Sequence, residues 1–200
     1  MRAQTLIGID RFAVEQKITM MVNRYEIRAL GPDDEVGEVL AVAQQKRLAF
    51  KEQVTFYADE DRRTPVFSFR ARQRIDLGAT YDVTDADGTV IGEFGKDFGR
   101  SLLRSTWNLA SAGITAVGRE RSAKVAVARR AWEMLPVVDS LPSPFVFHFD
   151  FTDTTTGAVV MSSQRRRSLR DRYVVTVPGA SLDGRVAAAM AVALDALQSR

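Results

Sequence analysis

The chain has 200 residues, 46% hydrophobic and 26% charged, with 28 basic and 25 acidic side chains and a formal net charge of +3. That length and apolar content sustain one domain with a real core, while the lack of cysteine excludes disulfides and a thiol nucleophile. So mild a basic excess does not by itself point to nucleic acid, no stretch reaches ~18 apolar residues, and Met1–Phe12 has no signal-like apolar core, so a cytoplasmic location is expected.

Leu6–Ile27 mixes β-branched, aromatic and polar residues and predicts short strands with a turn near Val22–Arg24. Tyr25–Ala29 alternates into the polar turn Gly31-Pro32-Asp33-Asp34. Val36–Val42 and Leu48–Tyr57 alternate again, and Asp59–Thr64 is a charged loop. Pro65–Ile75 is the clearest strand: Phe67, Phe69 and Ala71 fall on one face and Ser68, Arg70, Arg72 and Arg74 on the other. Ala79–Thr84, Val90–Phe94 and Ser101–Leu109 continue the pattern, with Asp85-Ala86-Asp87-Gly88 as a hairpin turn.

Ser111–Gly118 reads as loop and opens an insertion over about residues 111–143. Within it Ser122–Leu135 puts Val125, Ala128, Trp132 and Leu135 on one face, which predicts an extra surface helix. Pro136, Pro142 and Pro144 end it. Phe145, Phe147, Phe149 and Phe151 then alternate with Val146, His148, Asp150 and Thr152, a half-buried strand with an aromatic inner face. Thr154–Gly157 is a turn, and Ala158–Ser163 and Tyr173–Val177 are the last strands. Leu182–Gln198 is a helix: it is rich in Ala, Val, Met and Leu, and Ser181 or Asp183 can cap it. Val186, Met190, Leu194 and Leu197 form its bulky stripe, yet the opposite side is Ala188, Ala191 and Val192, with Asp195 the only charge. A helix apolar all round is wrapped by protein.

Tyr25-Glu26-Ile27…Val36-Gly37-Glu38-Val39 resembles Tyr81-Asp82-Val83…Ile91-Gly92-Glu93-Phe94, and the latter region resembles Phe149-Asp150-Phe151…Gly157-Ala158-Val159, at spacings of about 56 and about 68 residues. Repeated strand–turn–strand units sharing one core predict a closed sheet without edges. A barrel of that size needs a filler, and the alanine-rich helix supplies it.

The order of Phe12-Ala13-Val14-Glu15-Gln16-Lys17, Asn23-Arg24-Tyr25-Glu26-Ile27, Tyr81-Asp82-Val83-Thr84-Asp85…Gly88…Ile91-Gly92…Lys96-Asp97-Phe98, Ser105-Thr106-Trp107 and the Leu182–Gln198 helix resembles the phospholipid scramblase and LURP-one-related proteins of the tubby C-terminal-like group. The resemblance runs from Phe12 to Leu197. It implies a mainly β, twelve-stranded closed barrel threaded by the C-terminal helix, residues 1–200 forming one domain. It also implies lipid-related functions: some relatives bind phosphoinositides and others move phospholipids between leaflets in a calcium-dependent way. The chain departs from the scramblases in having no cysteine to acylate. Arg170-Asp171-Arg172-Tyr173 stands where their acidic calcium segment lies.

Other chemistry finds little support. Asp85, Asp87 and Gly88 match three places of a calcium loop, but Val83 and Phe94 fill the first and twelfth, so a polar turn explains them better. His148 is the only histidine, with Asp150 on the same strand face to orient it. One imidazole does not make a His/Cys metal site, there is no Gly-x-Ser-x-Gly turn, and neither phosphate-loop nor dinucleotide glycine pattern occurs. No metal, cofactor or catalytic residue is expected.

The arginines are the strongest lead. Arg165, Arg166, Arg167, Arg170 and Arg172 give five basic residues in eight positions, and Arg70, Arg72 and Arg74 share a strand face. Guanidinium pairs bidentately with phosphate and keeps its charge. The expectation is a non-catalytic module that docks anionic phospholipid head groups at a membrane surface, with nucleic acid not expected. The alternatives are scramblase-like translocation or an enzyme with a site at the barrel mouth.

Overall fold

A computed structural model describes residues 6–18, 22–46, 53–72, 80–97, 105–121, 148–166 and 172–198. The predicted Ser122–Leu135 helix and Arg74, Arg167 and Arg170 lie outside the described residues, as does the side chain of Leu197.

Twelve strands follow one another: β1 (Arg11–Ile18), β2 (Val22–Leu30), β3 (Val36–Lys46), β4 (Gln53–Tyr57), β5 (Pro65–Ala71), β6 (Thr80–Asp85), β7 (Val90–Lys96), β8 (Thr106–Ser111), β9 (Ile114–Glu120), β10 (His148–Asp153), β11 (Val159–Arg166) and β12 (Arg172–Thr176), and then α1 (Gly184–Gln198). Each strand pairs antiparallel with its neighbours in sequence, and β12 pairs with β1, so the sheet closes. Closure removes the unpaired edges that would template aggregation.

Two expectations need correction. The first turn does not fall at Val22–Arg24, because β2 has begun by Val22. Ser111–Gly118 is not loop: Ala112 and Gly113 take positive φ of 48° and 82° and turn β8 directly into β9, so the strands pair from Ser111–Ile114 onward. Two consecutive left-handed residues make the tight hairpin whose twist matches the strands.

Alternation sets the two faces of the wall. Phe12, Val14, Tyr25, Ile27, Phe67, Phe69, Phe94, Phe149 and Phe151 point inward and are buried. Part of this lining is an aromatic run, with Phe56 stacked on Phe67 (centroids 4.1 Å apart), Tyr81 on Phe94 (5.2 Å) and Phe69 edge-on to Tyr81 and Phe94. The helix fills the rest, and every residue from Val186 to Ala193 has no exposed surface. Its alanines are the reason it fits, since a bulkier rod would collide with the ring of phenylalanines. Asp183 caps it by accepting from the Arg185 backbone N–H at 2.9 Å. The chain approaches too closely at Gly184 for any side chain: a Cβ there would lie 2.1 Å from the Leu6 carbonyl oxygen. At Gly92 a Cβ would meet Val186 of the helix at 2.8 Å.

The up-and-down order gives the barrel two distinct ends. Even strands run into short turns with the following odd strands at one end, the turn end, where α1 also starts. Odd strands run toward the other end, the mouth, where α1 finishes.

Candidate functional site

Charge is unequally divided between these ends. Arg70 and Arg72 flank the end of β5, Lys96 closes β7, Arg119 and Arg121 flank the end of β9, Arg165 and Arg166 close β11, and Arg172 opens β12, all at the mouth. The turn end is acidic: Asp33, Asp34 and Glu35 occupy the β2–β3 turn, Asp59, Glu60 and Asp61 the β4–β5 turn beside Arg62 and Arg63, and Asp87 the β6–β7 turn. Asp183 precedes α1.

The two arginine groups singled out in the sequence thus reach the same end of the barrel but not one patch. In the closed ring β5 and β11 are six strands apart in either direction, so Arg70 and Arg72 stand across the barrel from Arg165 and Arg166. Strand parity divides the second group again. Arg165 is paired in register with Tyr173 and faces inward, whereas Arg166 is opposite Arg172 and faces outward.

Several of these arginines are held by acids. Arg72 bonds Asp82 through Nε at 2.9 Å and also pairs with Glu93, and the two carboxylates raise its pKa further. Arg172 donates to Glu15 at 2.8 Å. Arg166 meets Asp34 of the β2–β3 turn at 3.3 Å, and Arg24, near the start of β2, meets Glu60 of the β4–β5 turn at 3.4 Å, so acids of two turns reach cations nearer the mouth. Arg70 and Arg119 are exposed, with no pairing acid among the described residues.

The outer face of β1 and β2 carries a network not foreseen from the sequence. Glu15 and Glu26 sit opposite each other in register, nearly without exposed surface. Arg28 reaches both, at 3.7 Å from Glu15 and 3.1 Å from Glu26, and Lys17 pairs with Glu26. Burial alone pushes the Glu26 carboxyl up, but Lys17 and Arg28 outweigh it and hold it below the ordinary range. Such a network sets the register of β1 on β2 and β12. Its three cations, Lys17, Arg28 and Arg172, are each paired with one or both of the two glutamates.

Inside the mouth, the carboxylate near the end of the apolar helix is pinned to the wall. Asp195 accepts hydrogen bonds from Tyr25 Oη at 3.0 Å and from Tyr173 Oη, and Gln16 Nε2 donates to Tyr25 Oη at 3.4 Å. Lys96, Glu120 and Arg165 also face inward at this end, in register with Trp107, Phe149 and Tyr173.

On the outer face of β9–β11, His148 and Asp150 share a face as expected, but Asp150 does not orient the imidazole. It accepts from Arg121 Nε and Nη2, each at 2.7 Å, and from Ser162 Oγ at 2.9 Å. The Arg121 bond holds the Asp150 carboxyl below its ordinary range. Burial and the Arg121 and Arg166 cations push His148 down, against the pull of Asp150, so the imidazole is neutral at pH 7. Arg121 was invisible as a partner because it lies 29 residues from Asp150.

Among the described residues no group of three or more His, Asp or Glu side chains is placed to hold a metal. The Asp85 carboxylate is occupied by the backbone N–H groups of Asp87 and Thr89, at 3.0 and 2.9 Å, which is the turn chemistry expected of it. No helix among the described residues is long and apolar enough to cross a membrane. Compared with known proteins, residues 39–195 match the family model described as LURP-one-related. No curated protein and no solved structure matches the chain.

Proposed function

The chain belongs to the LURP-one-related family, and from that premise we propose that it is a non-catalytic binding module whose basic mouth docks anionic phospholipid head groups, while the acidic turn end faces away from the membrane. The observation that carries this reading is the polarity of the barrel: strand-end arginines gather at the mouth from opposite sides of the ring, and acidic turns crowd the other end. A surface touched by cations on both sides of a ring orients the whole barrel, which one local cluster would not do. Each basic group near an anionic leaflet contributes about 1 kcal/mol, so four or five suffice for reversible attachment. The ion pairs of Arg72 and Arg166 are exposed and contribute little to stability, so lipid phosphate can exchange with their carboxylates at small cost.

The test is vesicle sedimentation with neutral and anionic lipid at low and high salt. Binding should require anionic lipid, fall as salt rises, and drop at least tenfold in an Arg70→Glu/Arg166→Glu variant whose melting curve is unchanged. Equal sedimentation with neutral and anionic vesicles would end this reading.

A further inference from the structure

The outer face of β9–β11 near the mouth carries a compact set of side chains that general attraction to a charged surface does not explain. Arg119 lies opposite Asp150, and Asp150 opposite Ser162. One step nearer the mouth, the Arg121 backbone N–H donates to the His148 carbonyl at 2.8 Å, and His148 lies opposite Gln164. Arg166 follows two residues on along β11. Two guanidinium groups, those of Arg121 and Arg166, thus act on one imidazole, with Arg119 one row away and Asp150 the one carboxylate in the same rows.

Asp150 does not cancel them. It is taken up by Arg121 and Ser162, and its two bonds to Nε and Nη2 fix the plane of the Arg121 guanidinium while leaving Nη1 outside the pair. Arg119 is exposed and has no pairing acid among the described residues. The Arg166 side chain is 52% exposed and touches Asp34 only at the long distance of 3.3 Å. At the centre, His148 Nδ1 is buried and has no hydrogen-bond partner among the described residues. A buried polar atom left so is costly unless something else meets it. The net charge of the set suits a doubly charged oxyanion better than a carboxylate.

We propose that this face is a subsite for a phosphate monoester, held between the Arg121 and Arg166 guanidinium groups with the His148 imidazole donating a hydrogen bond to a phosphate oxygen. The inference rests on the reading of this end as an anion-binding module and narrows it to one chemistry and one place. Arg119 adds charge at the rim. Asp150 and Ser162 are positioning residues that aim Arg121. A dianion at this point favours the protonated imidazole, so binding and His148 protonation reinforce each other. The groups facing the imidazole are Arg121 after β9, Asp150 on β10, and Gln164 and Arg166 on β11.

His148 is the only histidine in the chain, so its imidazole resonances report this site without ambiguity. The experiment is an NMR pH titration of His148 in the full chain, with glycerol 3-phosphate against chloride of matched ionic strength. Phosphate should raise the His148 pKa by roughly one unit; Arg166→Ala should abolish the rise without changing the melting curve, and Arg121→Ala should abolish it in a chain that still melts cooperatively, at the lower temperature expected from loss of its pair with Asp150. A parallel arm compares vesicles of phosphatidic acid with vesicles of phosphatidylserine at equal surface charge. A pKa rise together with preference for phosphatidic acid assigns the phosphate to a lipid head group. A pKa rise without that preference supports the subsite and assigns it to a free phosphorylated small molecule. No movement of His148 while anionic vesicles still bind overturns the subsite and leaves the membrane-docking module standing; no movement and no vesicle binding overturns both.

Discussion

The contact that ties helix to wall is Asp195 with Tyr173 and Tyr25, and it allows the threading to be measured in solution. Tyr173→Phe removes one hydroxyl that donates to a buried carboxylate. A hydrogen bond to a charged group contributes about 1.5–3 kcal/mol net, so the variant should lose that much. Asp195→Ala removes the acceptor of both tyrosines and should cost about 3–6 kcal/mol on the same scale. In the Asp195→Ala background Tyr173→Phe no longer breaks a bond to that carboxylate, so the double variant should lose less than the sum of the two single losses. The coupling energy is then about 1.5–3 kcal/mol, against ~0.5 kcal/mol or less for sites that do not touch. Urea unfolding reads this directly: with a slope of about 2 kcal/mol per molar, Tyr173→Phe lowers the midpoint by about 1 M. Tyr173 lies on β12 and Asp195 on α1. Additive losses would mean that the two never meet, and a helix lying outside the barrel would then be the better description.

Val192→Asp should fail to fold, because it puts an unpaired charge where no surface is exposed, at a cost comparable to the stability of a whole domain; circular dichroism with a native melting transition would contradict this. Gly118→Ala should cost about 1–3 kcal/mol, because the new methyl would lie 2.3 Å from the Phe151 ring. Phe151→Leu in the same chain should recover part of the loss, as judged from melting temperatures of the single and double variants. Asp150 is held below its ordinary pKa in the fold, so it contributes stability above about pH 3.9, lost as pH falls through the folded value; Arg121→Ala should flatten that acid limb in denaturation measured against pH. His148 is also depressed, so below about pH 6.5 the unfolded chain binds the extra proton and stability falls on acidification until the folded value is passed. His148→Gln should remove that slope.

The barrel could be read in advance because its signals are local and periodic. Phe67, Phe69 and Ala71 against Ser68, Arg70 and Arg72 is a period of two that only a half-buried strand produces, and the structure keeps those faces. The helix betrayed its surroundings by what it lacks: Ala188, Ala191 and Val192 stand where a surface helix would show charge, and all three are buried. The misreadings came where backbone geometry, not hydropathy, decides. Ala112-Gly113 turns a hairpin in two residues, and Ala112 gives no composition signal for its positive φ. The β1–β2 turn lies before Val22, since Val22, Asn23 and Arg24 already pair with β3, although Asn23 and Arg24 are polar enough for a loop.

The arginines show why a charge cluster in a sequence is a weak guide to a surface. Arg165 and Arg166 are neighbours in the chain, yet alternation sends the first toward Tyr173 and the interior and the second toward Arg172 and the outside. Conversely, Arg121 and Arg166 are 45 positions apart in the chain and come to the same outer face through the meander β9–β10–β11. No spacing rule connects them, since the connection is register: His148 opposite Gln164, with the backbone of Arg121 bonded to His148. What a sequence does transmit is which end of the barrel a side chain reaches. In an up-and-down closed sheet the last residues of every odd strand share one end, whatever their distance in the chain. Arginine at the ends of β5, β9 and β11 and acid in the turns after β2, β4 and β6 are therefore one feature, an axial charge polarity written into the order of the strands. Moving Arg70 or Arg119 to the opposite end of its own strand would leave composition, net charge and fold unchanged and still weaken that polarity, so vesicle binding, and not stability, is the property that should respond.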